Sequence, residues 1–190
     1  YELGQMVALK IPSVMPTNAA DGPIVVLREA CQLWTADISS STSSPILEND
    51  RIYIVAEKGD LCSVDANTCK LCWKLKLGIE QRNSCPLYAD GKIYAPILDD
   101  PTGKTDTAGE AGSKGALYIV KPSDTAGEIL THLELEGRCF GTPTAYRGKI
   151  YVQTASKLYC FGKRDAPSPS PQRRPDEAWP SPGTATQLQI

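Results

Sequence analysis

Pro45-Ile46-Leu47-Glu48-Asn49-Asp50-Arg51-Ile52-Tyr53 is answered twice further along the chain. The answers are Pro86-Leu87-Tyr88-Ala89-Asp90-Gly91-Lys92-Ile93-Tyr94 and Pro143-Thr144-Ala145-Tyr146-Arg147-Gly148-Lys149-Ile150-Tyr151. In every copy six residues separate the proline from the Ile-Tyr pair. Just ahead of that pair stands a polar corner, Asn49-Asp50-Arg51, Asp90-Gly91-Lys92 or Arg147-Gly148-Lys149, built of residue types that suit tight turns. Each copy therefore reads strand, turn, strand. Repetition at this scale means a stacked or circular architecture, and it is explained first by each unit packing on its own copies rather than by catalysis.

Working outward from the first copy, strands are expected at 43–47, 51–56, 60–65 and 70–76, with Lys58-Gly59-Asp60 turning between the second and third. The second copy repeats the order at 85–89, 92–98, 116–121 and 128–135. Residues 99–115 between its middle strands are polar and rich in Gly, Thr and Asp, the composition of a solvent-exposed insertion. The third copy, 142–162, stops after three strands. Successive prolines lie 41 and 57 residues apart. Without an insertion of about 16 residues the longer interval approaches the shorter, giving a period of about 40 with four strands per unit, which is what a propeller blade needs.

The flanks are less regular. Met6-Val7-Ala8-Leu9 and Ile24-Val25-Val26-Leu27 are strand-like, and Cys31-Gln32-Leu33-Trp34 echoes Lys70-Leu71-Cys72-Trp73, so residues 1–38 read as a divergent blade. After Lys163 six prolines fall between Pro167 and Pro182, and 164–190 reads as an extended Pro-rich linker leading to a possible truncated next domain. The expected fold is all-β: a partial β-propeller of about three to four four-stranded antiparallel blades over 1–163, with blades at about 43–76, 85–135 and 142–163. Too few blades to close a ring, and an opening at Tyr1 inside strand-like sequence, point to a piece of a longer protein.

The chain has 190 residues, an apolar fraction of 41% and a formal charge of -2, an ordinary globular composition without the basic footprint of a nucleic-acid binder. No apolar run approaches the roughly 20 residues of a membrane-spanning helix. Seven cysteines, an odd count, leave at least one unpaired within the chain.

The segment Ser63-Val64-Asp65-Ala66-Asn67-Thr68-Cys69-Lys70-Leu71-Cys72-Trp73 carries the most specific signal. Asp65 and Thr68 stand where a hairpin reverses, and their side chains are suited to bonding nearby backbone amides. Trp73 follows in the outgoing strand, placed to lie over a neighbouring blade. The segment resembles the tryptophan-docking motif of quinoprotein-type β-propellers. The wider phrase of proline, Gly-Lys-Ile-Tyr and Leu-Tyr is similar to the pyrroloquinoline-quinone-like repeat family, including its non-enzymatic members of the outer-membrane assembly lipoprotein type. Asp65, Thr68 and Trp73 are thus expected to be a structural blade-docking motif. Cys69 departs from the family's Gly and costs about 1 kcal/mol if its backbone is left-handed.

Cys69-Lys70-Leu71-Cys72 is a C-x-x-C, but in a turn and strand rather than at a helix start, and no second knuckle completes a zinc set. Hairpin register is expected to put Cys62 opposite Trp73 and Cys72 opposite Ser63, on different faces, and buried structural thiols are expected ahead of a disulfide or a metal site. Gly103-Lys104-Thr105 lacks the first glycine of a phosphate loop, and the single histidine, His132, is expected at the surface of an outer strand. No catalytic, cofactor-binding or metal-binding residue is assigned.

What the resemblance implies is a non-catalytic scaffold or protein-interaction module of a secreted, periplasmic or cell-envelope protein. Its expected partners are the remaining blades of the parent chain and other envelope proteins, with no nucleic acid and no membrane span. Two alternatives stay open: a fragment of a pyrroloquinoline-quinone-dependent dehydrogenase, with quinone and calcium held outside this chain, and a sugar- or polymer-binding propeller.

Overall fold

The polar corners set the sheet registers. Both central residues of each have positive φ: 48° and 59° at Asn49 and Asp50, 50° and 68° at Asp90 and Gly91, and 48° and 72° at Arg147 and Gly148. This is the type I′ geometry whose twist matches that of the flanking strands. The three hairpins share one register, Ile46 opposite Tyr53, Leu87 opposite Tyr94 and Thr144 opposite Tyr151.

The computed structural model describes residues 4–11, 31–40, 42–78, 84–98 and 114–163. An N-terminal sheet pairs β1 (Met6–Leu9) with β2 (Gln32–Ala36). The first blade is the antiparallel meander β3 (Ile46–Glu48), β4 (Arg51–Val55), β5 (Asp60–Asp65) and β6 (Leu71–Lys76). The second is β7 (Leu87–Ala89), β8 (Lys92–Leu98), β9 (Lys114–Pro122) and β10 (Gly127–Glu136). The third has three described strands, β11 (Thr144–Tyr146), β12 (Lys149–Gln153) and β13 (Leu158–Gly162). The chain is thus all-β, a partial propeller in which the first and second blades have the full four strands.

Strand alternation explains the stacking. In β8 and β9, Ile93, Ala95, Ile97, Ala116, Tyr118 and Val120 face the first blade and join Tyr53, Val55, Leu61 and Trp73 in one buried cluster. From the other face of the same blade Leu117 joins Leu135, Cys139, Ile150 and Val152 of the next seam. A sheet buried on both sides has apolar residues at successive positions, as Ile93 to Leu98 does.

Two expectations need correction. Cys62 lies opposite Lys74, and it is Ser63 that lies opposite Trp73, because a bulge between Ser63 and Val64 takes Cys72 out of the pairing. Nor are the thiols uniformly buried: all seven are free, but among them Cys62 and Cys139 alone are buried and Cys160 is exposed. The expected strand at 24–27, the Gly103-Lys104-Thr105 stretch and the 164–190 linker lie outside the described residues.

Candidate functional site: the seams between blades

The hairpin turn after β5 is held by one carboxylate. Asp65 Oδ1 accepts from the Asn67 amide at 3.1 Å, the Thr68 amide at 2.8 Å and the Thr68 hydroxyl at 2.9 Å. The Thr68 hydroxyl, then its amide, with Asn67 and Arg51 adding to them, hold the Asp65 carboxyl below the ordinary carboxylate range. Cys69 closes the turn in the left-handed region at φ 65°, so the strain of a β-carbon there is present.

Sequence reasoning grouped Asp65, Thr68 and Trp73 as one motif, and the structure places them at two different seams. The Asp65–Thr68 turn faces the N-terminal sheet: Trp34 Nε1 donates to Ala66 O at 2.8 Å, and Cys69 Sγ donates to Thr35 O at 2.9 Å. Trp73 points the other way, and its Nε1 donates to Ser123 O at 2.8 Å in the β9–β10 turn. The two indoles thus do the same thing one blade apart. Trp73 also lies over Gly127, where a β-carbon would come within 3.0 Å of the ring. Tyr53 flanks it at a centroid distance of 5.9 Å and stacks on Tyr88 at 6.3 Å. Arg51 spans the same seam, 3.8 Å from Asp65 and 3.6 Å from Asp124, with a further hydrogen bond to Cys72 Sγ.

Ser123 and Gly127, which receive Trp73, were not singled out in the sequence. The available signal was Gly127 itself, the small residue that opens the strand after a Pro-Ser-Asp turn. Between the second and third blades no indole serves among the described residues. There Tyr159 Oη accepts from the Glu136 amide at 2.9 Å, and Thr154 Oγ1 donates to Glu136 O at 2.7 Å. His132 is exposed on the first-blade side of β10, directly opposite Tyr118 and stacked on it at 4.3 Å.

The thiols differ in character. Burial pushes Cys62 and Cys139 up to about 11. Burial also opposes ionisation of Cys85, but the hydrogen bond from the Ser44 amide, with the Thr142 and Ser44 side chains adding to it, outweighs burial and brings that thiol below its ordinary value. Among the described residues no three His, Cys, Asp or Glu side chains gather as a metal-binding group. The aromatic rings at the first seam are packed on one another rather than open to a planar ligand. A cavity of about 280 Å³ on the third blade is lined by Phe140, Gly141, Gln153, Thr154 and Ala155. No described helix is long and apolar enough to cross a membrane.

Antiparallel meanders stacked face to face and fastened by indole-to-turn bonds define an incomplete β-propeller of repeated blades. Residues 20–105 match the family model of the outer membrane protein assembly factor BamB. The outer membrane protein assembly factor BamB of Burkholderia pseudomallei (strain K96243) is 24% identical over 126 residues, which is 65% of this chain and 28% of that protein. The crystal structure of BamB from Moraxella catarrhalis is also similar, with a TM-score of 0.48 at 15% identity over 68% of this chain and 33% of that one. Over residues 20–105 the propeller repeat is thus similar to the pyrroloquinoline-quinone-like repeat of BamB. It spans about 28% of the length of the curated relative that it matches.

Proposed function

We propose that this chain is a non-catalytic β-propeller scaffold, part of a protein-interaction module of the cell envelope. The observation that carries the reading is how the singled-out residues are used: Asp65, Thr68 and Trp73 bond a turn or a neighbouring blade, and act as blade-docking residues. Arg51, Tyr53, Trp73, Thr154 and Tyr159 are engaged with a neighbouring blade. What remains for a partner are the blade edges and outer strands, such as β10, where Glu128, Ile129, Leu130 and Glu134 are exposed. The envelope setting follows the relative's name, an outer membrane protein assembly factor.

The test uses the full-length polypeptide. Recovery in the envelope fraction in a stoichiometric complex with an outer-membrane assembly protein, lost when β10 is made uniformly acidic, is the expected result. Saturable binding of pyrroloquinoline quinone with calcium, together with dye-linked oxidation of an alcohol or sugar, would overturn the reading in favour of a dehydrogenase.

A further inference from the structure

The residue before each blade-opening proline is Ser44, Cys85 or Thr142. These small side chains with an acceptor atom form a series across the seams. The Ser44 amide donates to Cys85 Sγ at 3.1 Å, and the Cys85 amide donates to Thr142 Oγ1 at 3.4 Å. The residues joined are 41 and 57 positions apart, the two intervals of the repeat, so each bond links equivalent positions in successive blades.

Proline makes this position special. The residue before it is held extended. Ser44 and Thr142 are exposed and Cys85 is half-buried, so at this rim of the seam a side chain of the next blade takes the amide in place of water. Serine, threonine and cysteine have an acceptor one bond beyond the β-carbon, close enough to reach the neighbouring main chain. Alanine and valine have none.

We propose that the pre-proline residue is a latch between successive blades, and that the inner seam of a blade fits a following blade that opens on Ser, Thr or Cys before Pro. The latch fixes the relative height of neighbouring blades just ahead of β3, β7 and β11, while the indoles do so at the β5–β6 and β9–β10 turns. It rests on the blade reading but not on the absence of catalysis, so a quinone-dependent activity would leave it standing.

Residue-resolved amide hydrogen exchange of the whole chain tests it. In Cys85→Ala the Ser44 amide is expected to exchange about fivefold faster or more, the loss of one modest hydrogen bond. In Cys85→Ser it is expected to stay protected. As an independent seam, Thr142→Val should speed exchange at the Cys85 amide while Thr142→Ser should not. The core amides of β4, β5 and β9 report in each variant that the blades remain folded. Unchanged Ser44 exchange in a folded Cys85→Ala variant, or equal loss in Cys85→Ser, overturns the latch. If Cys85→Ala does not fold, the Thr142 pair decides alone.

Discussion

At the residue scale, backbone conformation separates positions that the sequence makes look alike. Asp50 and Cys69 both sit at positive φ, 59° and 65°. Asp50→Gly creates an Asn-Gly corner, the preferred type I′ pair, and keeps the main-chain bond from the Ala66 amide to residue 50. It should stabilise the protein by about 1 kcal/mol, raising Tm by roughly 3 °C in a calorimetric scan. Cys69→Gly relieves the same strain but gives up the sulfur bond to Thr35 O, so its gain should be smaller than that of Asp50→Gly. The thiols Cys62 and Cys139 supply a pH dependence with a definite sign. Their folded pKa is about 11, above the ordinary 9.0, so above pH 9 the unfolded chain binds fewer protons than the native one and stability falls as pH rises. Urea unfolding at pH 7, 9 and 10.5 should show that decline, and a Cys62→Ala/Cys139→Ala variant should show a shallower one from a lower starting stability.

At the element scale, the outer hairpins decide how blades lie on one another. Trp73→Ala removes a buried ring from the first seam and should cost about 3–5 kcal/mol. Trp73→Phe keeps most of the apolar contact and loses the bond to Ser123 O, at a smaller cost of about 1 kcal/mol. Gly127→Val forces the ring away from the opposite side and should destabilise although it touches neither Trp73 nor Ser123 in sequence. Chemical unfolding of the three variants orders them. Much of this was legible beforehand. The Pro-to-Ile-Tyr phrase located the hairpins, strands Asp60–Asp65 and Lys92–Leu98 were placed to the residue, and Asp65 with Thr68 identified the turn. The Cys62 register was misread because a bulge adds a residue without any periodic signature, and Cys72 left no mark in the pattern that distinguishes it from a paired position. The division of Asp65 and Trp73 between two seams was also invisible, since sequence places residues along a strand but does not say which neighbouring sheet each face meets.

At the scale of the whole molecule, the third blade is the exposed end of the described stack. Leu158 and Tyr146 are exposed there, and β13 pairs on one side only among the described strands. An edge of that kind templates pairing with another chain. Leu158→Lys should lower concentration-dependent association in light scattering while leaving Tm nearly unchanged, because the residue makes little of the core. An unaltered association profile would place self-contact elsewhere.

The second blade pairs Leu98 directly with Gly115, closing its ladder across the residues that lengthen that repeat. The two strands at that point stand about 4.8 Å apart, the ordinary spacing of a sheet. The blade therefore counts paired positions rather than residues, and its connection is a doorway whose posts are already fixed. A folded domain with neighbouring termini, grafted between those posts, should be carried without disturbing either seam, which would make this propeller a rigid display platform whose cargo is set independently of its frame.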